Sequence, residues 1–470
     1  MSSAGPIRDP IHGFISVEGR ENEVLGCSLF QRLRRIHQLA MARLVYPGAL
    51  HTRFDHTLGV LHVASRLCKV LEVDDHHTKI IRFAALLHDV GHGPFSHVSE
   101  DVLQALSPQR PFDGAGKKEK IHELITRAVI LTHPDLGAAL SGSDREEIAD
   151  LLNDGLEDQL HRDIISGPLD ADKQDYLLRD SYFCGVQYGV YDIDQLHLSL
   201  CAQDDGDERL LMVKETGVHA VEQYVLAKYY LTTQVYKHKV RLITDHMLIR
   251  ALVLGAKKDR LDWLERLYRY PDETDPISKP VQDFITEYLQ WDDQRITVEL
   301  LKPDHENTHA GRLFRFLVER RLFKRVFSVR TRDLPPVVKT GLQQRFPEIR
   351  AELEAVLAEI LSGLLSRSVP PEHVILNHFK IDSVRTQSRN DEASILIAQG
   401  PSAVPFEQES VLFQSINEGL RDEFLEAYAP LGNLEDKEKR KLKEKAKTDF
   451  LNVLDRKFNH ATTSKTPEKP

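Results

Sequence analysis

The chain has 470 residues, of which 41% are hydrophobic and 29% charged, with a formal net charge of −10. That length gives core for roughly two to four domains of ordinary globular composition. The acidic balance excludes broad nucleic-acid binding through a basic surface, although a local basic pocket for a phosphorylated small molecule needs only a few Lys and Arg. No apolar run approaches the length of a membrane span, and residues 1–20 show no signal-peptide pattern. Cys27, Cys68, Cys184 and Cys201 are scattered without CxxC spacing, which speaks against a disulfide framework or a cysteine zinc site. The expected location is cytoplasmic.

Along the chain, residues 5–20 place turn residues around Ile11, Phe14, Ile15 and Val17, predicting a small hairpin. From Glu23 the spacing of Leu29, Phe30, Leu33, Ile36 and Leu39 is helical. Arg32, Arg34, Arg35 and Arg43 make this the densest basic segment, read either as a solvated helix face or as phosphate contacts. Helices are predicted over 55–72 and 78–89, the second from the apolar run IIRFAALL, which should end at Gly91 and Pro94 with His88 and Asp89 in its last turn.

The stretch from His51 to His97 holds His56, the adjacent pair His88-Asp89, His92 and His97. Neutral imidazoles and carboxylates are the usual ligands of divalent metals, and a metal-bound water is a hydrolytic nucleophile. A lone buried His-Asp pair is more often structural, but His56 upstream and the further histidines at 92 and 97 favour a metal centre. Residues 106–120 read as a Pro-, Gly- and Lys-rich loop. His122 and Glu123 open the next helix, and another runs over 143–165 to Gly167-Pro168. In the helix that follows, Asp172, Tyr176 and Asp180 share one face, flanked by Lys173 and Asp175. Compensation of the helix dipole accounts for Asp170 and Asp172, but Asp180 lies two turns beyond its reach.

A strand pair over 207–216 and a long helix over 217–255 come next. Tyr229, Tyr236, His238 and Lys239 on that helix suit either a core or the capping of a nucleotide. Residues 259–330 are mostly helical. From 331 onward short strand-like runs surround a helix at 348–366, and a charged surface helix spans 434–457.

The motifs FQRLR, YPGALHTRFDH, HDVGHGPFSH, DADKQDY and VYKHK, in that order, resemble those of the HD phosphohydrolase superfamily. More narrowly they are similar to its deoxynucleoside triphosphate triphosphohydrolases, with the prokaryotic members closest in character because no sterile-alpha-motif domain is legible. The resemblance runs from Asp9 to Lys239 and is only architectural beyond 330. It implies a mainly α fold: an HD-domain helical core with short β-hairpins and a smaller α+β C-terminal part. The expected division is a catalytic core with helical extension over 1–330, an oligomer or regulatory part over 331–457, and a disordered tail over 458–470.

Carried over residue by residue, the resemblance implies His56, His88, Asp89 and Asp172 as ligands of a divalent metal, Fe, Mn or Mg. His92 and His122 would contact the scissile phosphate. His97 would protonate the leaving sugar oxygen, with Glu100 standing where the family has its aspartate partner. Gln38, Leu39, Arg53, Lys173, Tyr176, Asp180, Lys228 and Tyr236 would bind the substrate, Tyr236 crowding the 2′ position. Gln31 and Arg34 match an activator site, although Gly26 replaces a guanine-reading aspartate and Gly5-Pro6 a Lys-Val pair. The implied partners are a dNTP substrate, a nucleotide activator and further copies of the chain, as a dimer or tetramer. Two other functions compete: an HD phosphohydrolase acting on another nucleotide or a phosphodiester, and a non-catalytic nucleotide sensor.

Overall fold

The computed structural model describes residues 5–107, 120–153, 158–206, 208–273, 275–382, 394–400, 402–416 and 421–463. Most of the predicted loop at 106–120, and the tail beyond 463, lie outside them. The described chain is mainly helical with three small sheets, and it divides into two compact units. The first comprises 1–241, 251–314 and 384–418; the second comprises 242–250, 315–383 and 419–470.

At the centre of the first unit lies the helix Arg53–Val70. Its start is set locally, because Asp55 Oδ2 accepts from both the Thr52 amide (2.7 Å) and the Thr52 hydroxyl (2.8 Å), satisfying groups that a helix start otherwise leaves open. The helix is buried on nearly every side, by Phe54, Leu58, Leu61, Val63, Leu67 and others, as expected of a helix passing through a core. It packs against the helices Asp75–Leu87 and Ala171–Cys184. Asp74 caps the first of these through the His76 and His77 amides. Gly185 ends the second in the left-handed region, at φ 69°, where glycine has no Cβ to clash.

Several predicted boundaries shift. The apolar helix stops at Leu87, so His88 and Asp89 follow it instead of completing its last turn. The helical spacing from Glu23 resolves into the short helices Glu21–Gly26 and Ser28–Gln31 and a 3₁₀ turn Arg32–Arg35. Beyond it the chain extends, and His37 pairs with Thr52. The strand pair is a hairpin of Leu200–Asp205 and Glu208–Lys214, turning at Gly206, whose φ is 66°. The long helix predicted over 217–255 is Val218–Leu231, then a π-helical turn Thr232–Tyr236, then Lys239–Lys257.

The second unit is a three-stranded antiparallel sheet with Arg421–Ala429 between Lys324–Arg330 and Ile375–Asp382. Its core joins sheet residues Val326, Leu376 and Leu425 to Leu342, Leu353 and Leu357 of the helix Pro336–Leu365 and to Phe450 and Leu454 of Asp436–Thr463. This differs from the sequence boundary at 331. The strand Leu396–Gln399 pairs in parallel with Glu208–Lys214 of the first unit, and the last helix runs through Thr463, six residues into the stretch expected to be disordered.

Candidate metal centre

Three elements bring the expected ligands together. His56 lies one turn after Arg53 on the central helix, His88 and Asp89 leave the end of Asp75–Leu87, and Asp172 is the second residue of Ala171–Cys184. One ligand atom each from His56, His88 and Asp172 fall within 4.8 Å of one another. The Asp89 carboxylate completes the group, 3.4 Å from His88 Nε2 and 3.8 Å from His56 Nε2. His88 donates through Nδ1 to the Ala85 carbonyl (2.8 Å), which turns Nε2 into the cluster, where it is buried without a hydrogen-bond partner. An orphaned imidazole nitrogen is unusual in a folded interior. Here it faces two carboxylates and a second imidazole, a donor set that fits a divalent cation.

His56 is held between carboxylates, its Nε2 3.0 Å from Asp172 and its Nδ1 2.8 Å from Asp175. Burial alone would favour the neutral ring, but these two hydrogen bonds outweigh it and raise the pKa to about 10. Burial would likewise raise Asp89, yet Arg53, His88 and His92 hold it well below the usual carboxylate range. A cation binding here displaces the His56 Nε2 proton, so uptake releases protons and strengthens as pH rises.

Beside this group lie the residues expected at the phosphate. His92 Nε2 is 3.3 Å from Asp89, and its ring stacks on His122 at 4.1 Å. Burial, reinforced by the positive charge of Arg53, keeps His92 neutral, well below its usual pKa. Arg53 spans the floor, donating to Asp89 (2.5 Å) and to Ser96 Oγ (2.9 Å). Arg53 Nη2 and His92 Nδ1 remain buried without hydrogen-bond partners. His97 is exposed at the start of the helix His97–Leu106, its ring 5.5 Å from that of His92. Glu100 departs from expectation. It accepts from His122 Nδ1 (2.8 Å), from the His122 amide (3.0 Å) and from Gln104 (2.7 Å), so the carboxylate assigned to His97 orients His122. Burial opposes its ionisation, but these bonds lower its pKa to about 2.

The support behind His56 was not legible as a site. Asp175, read from sequence only as a flanking acid, is wholly buried and accepts from His56, from His12 (2.7 Å) and from both Nε (2.8 Å) and Nη2 (2.9 Å) of Arg179. Arg179 in turn donates to Asp9 (2.9 Å). A carboxylate behind a metal-binding histidine fixes its ring and its basicity. The available clue was the i, i+4 spacing of Asp175 and Arg179, combined with the Asp9-to-His12 turn. Gly59 leaves room for this network: a Cβ there would lie 1.8 Å from Asp175 Oδ1 and 2.4 Å from Arg179 Nη2. Gly59→Ala is therefore expected to cost about 1–3 kcal/mol by overpacking. Chemical denaturation measures this, and an unshifted midpoint would mean that the pair has space to move.

The expected substrate residues divide. Asp180 accepts from the Tyr236 hydroxyl (2.5 Å) and from buried His51 (2.8 Å), and Tyr176 lies edge-on to Tyr236 at 6.2 Å. His51 is thus a further member of this wall. Gln38 and Leu39 are buried, with Gln38 Oε1 unpartnered. Lys173 is turned away, its ammonium on Asp170 and the Gly167 carbonyl, and Lys228 is half-buried. Of the basic cluster, Arg32 is buried and donates to the carbonyls of His92 and Trp291, both at 2.9 Å, which makes it a strut beneath His92 and not part of a solvated helix face. Gln31 and Arg34 bond to each other at 2.9 Å, with the Arg34 guanidinium 3.5 Å above the Phe54 ring. Asp293 ties the site's turn together, accepting from the Phe95 amide (2.6 Å) and from His37. Phe95 and Ser96 are both left-handed there, at φ 64° and 55°.

A helical unit whose histidines and aspartates converge at helix ends defines the class of this domain. Residues 53–170 match the HD domain model and residues 193–279 the HD associated region. This chain therefore carries an HD domain followed by an HD-associated region. Asp172 lies just beyond the first match. The chain is 33% identical over 261 residues to the uncharacterized protein YwfO of Bacillus subtilis, covering 54% of this chain and 56% of that protein. It is 31% identical over 259 residues to the deoxynucleoside triphosphate triphosphohydrolase SAMHD1 homolog of Dictyostelium discoideum, covering 52% and 48%. The matched region thus spans about half the length of these relatives. A hypothetical protein from Aquifex aeolicus, solved as a crystal structure, superposes with a TM-score of 0.67 at 26% identity, covering 94% of this chain and 98% of that one.

Proposed function

We propose that the chain is a metal-dependent hydrolase that splits dNTPs into a deoxynucleoside and inorganic triphosphate. The observation that supports this most is the orphaned His88 Nε2, gathered with His56, Asp89 and Asp172 beside two further unpartnered buried groups, Arg53 Nη2 and His92 Nδ1. A divalent ion of the Fe, Mn or Mg class held by His56, His88, Asp89 and Asp172 supplies charge neutralisation and a water acidic enough to act as nucleophile. Arg53 Nη2 then donates to a phosphate oxygen, preorganised so that nothing need move when charge develops, and His92 lies against the scissile phosphate. Glu100 keeps His122 against His92. His97, the exposed imidazole at the edge of the group, gives its proton to the departing 5′ oxygen.

Tyr236, anchored by Asp180, forms with Tyr176, Gln38 and Leu39 the wall against the sugar, and a rigid ring there leaves no room for a 2′-hydroxyl. Lys228 answers a phosphate charge, and Lys173 does so only by leaving Asp170. Gln31 and Arg34 are the activator contacts of a dimeric or tetrameric assembly.

The test is product chromatography after incubation with Mn²⁺ or Mg²⁺ and each dNTP, singly and in mixtures. Deoxynucleoside plus triphosphate is the expected result, and turnover restricted to mixtures would reveal the activator. A monophosphate product would move the attack to another phosphorus. No turnover in any mixture would sink the proposal in favour of a nucleotide sensor.

A further inference from the structure

Among the described residues a second group of metal-ligating side chains lies apart from the centre. His76 and His77, in the first turn of Asp75–Leu87, and Glu147, on the helix Gly142–Leu152, bring one ligand atom each within 4.8 Å of one another. His76 Nε2 is 3.1 Å from both Glu147 oxygens. Asp74 fixes His77 from behind: its Oδ1 accepts from the His76 and His77 amides while its Oδ2 accepts from His77 Nδ1 at 2.5 Å. With Nδ1 as the donor, Nε2 of His77 keeps its lone pair, in the carboxylate–histidine arrangement that orients a metal ligand.

Two further observations bear on how the group is held. The ring of His161 stacks on His77 at 4.4 Å, its residue only 6% exposed. Its Nδ1 has no hydrogen-bond partner and lies 3.4 Å from the Asp158 carboxylate. The spacing between the two helices is also fixed independently of any ion, because Lys79, three residues after His76, donates to both oxygens of Asp144, three residues before Glu147, at 3.0 Å. Asp144 is locked in turn by the cap it forms with Ser141. The group is thus held before anything binds, which removes much of the ordering cost of a site.

We propose that His76, His77 and Glu147 form a second divalent-metal site that clamps the helix Asp75–Leu87 to Gly142–Leu152. Two imidazoles and a single carboxylate select Zn²⁺, Co²⁺ or Ni²⁺ over Mg²⁺ and Ca²⁺, which prefer all-oxygen shells. Three protein ligands leave a position for water.

The experiment compares the untagged full-length protein with a His76→Gln/His77→Gln variant, both stripped with chelator and titrated with Co²⁺. Visible ligand-field absorption and the metal retained after gel filtration are the readouts. Because the difference between the two proteins is read, the occupancy of the His88 centre does not enter. The variant is expected to retain one equivalent less, Zn²⁺ should displace that equivalent and excess Mg²⁺ should not. Glu147→Gln should weaken it about tenfold or more. The parent's melting temperature should rise with Zn²⁺ by more than the variant's, since an ion that binds only the folded state stabilises it. Equal retained equivalents and equal thermal shifts in the two proteins would overturn the site and leave these residues as surface ion pairs. Both histidines are partly exposed and outside the core, so the substitutions leave folding intact, which circular dichroism checks.

Discussion

Asp172→Ala is expected to lower the proposed dNTP hydrolysis by at least about a thousandfold while the protein stays folded. The carboxylate is the most open member of the cluster, its side chain 36% exposed against 1% for His56 and 6% for Asp89. Its removal therefore opens no core cavity and unpairs only one side of His56, which Asp175 still holds. The reaction loses far more, because the metal is expected to provide several kcal/mol of charge stabilisation and each 1.36 kcal/mol is a factor of ten in rate. His88→Ala tests the same conclusion from the other side, since it removes an imidazole nitrogen that is buried in the cluster without a hydrogen-bond partner. Steady-state rates, metal content by atomic emission and a denaturation midpoint separate the effects. A variant that hydrolyses dNTPs at the parental rate would rule out this cluster as the reaction centre.

Arg179→Met should be the most damaging single substitution for stability, at about 3–5 kcal/mol. The guanidinium is fully buried between Asp175 and Asp9, and its loss takes the counter-charge from buried Asp9 and leaves Asp175 with only its bonds to His12 and His56. Burial pushes the Asp175 carboxyl up, and only Arg179, with the hydrogen bonds from His12 and His56, holds it well below the ordinary range. Asp175→Asn separates positioning from stability. It keeps the volume and loses the charge behind His56, so it should reduce metal affinity and kcat roughly 10- to 100-fold at a smaller cost in stability than Arg179→Met. Guanidinium denaturation of both proteins checks the ordering. If Arg179→Met unfolds within about 1 kcal/mol of the parent, methionine packs as well as the ion pair and the network is not what stabilises this helix pair.

How far the chain could be read before folding depended on the range of the interaction. The mainly α composition, the apolar run IIRFAALL and the placing of His56, His88, Asp89 and Asp172 near helix ends were legible because helix periodicity and caps act within a few residues. The breaks in the predicted helix from Glu23 were not, because the competing partners of Ile36 and Gln38 are Arg53 and His51 across a loop. Nor was the assignment of 384–418 to the first unit, which depends on a strand pairing with residues almost two hundred positions earlier.

The same distinction divides the site. By itself the sequence determined which residue types could hold a cation, since ligand chemistry belongs to the side chain. Only the tertiary structure decided their partners. It placed Glu100 on His122, Lys173 on Asp170 and Arg32 beneath His92, and it set His12 and Arg179 on Asp175, with Asp9 on Arg179. A buried charge must find its counter-charge wherever packing brings one, and the distance along the chain says nothing about where that is.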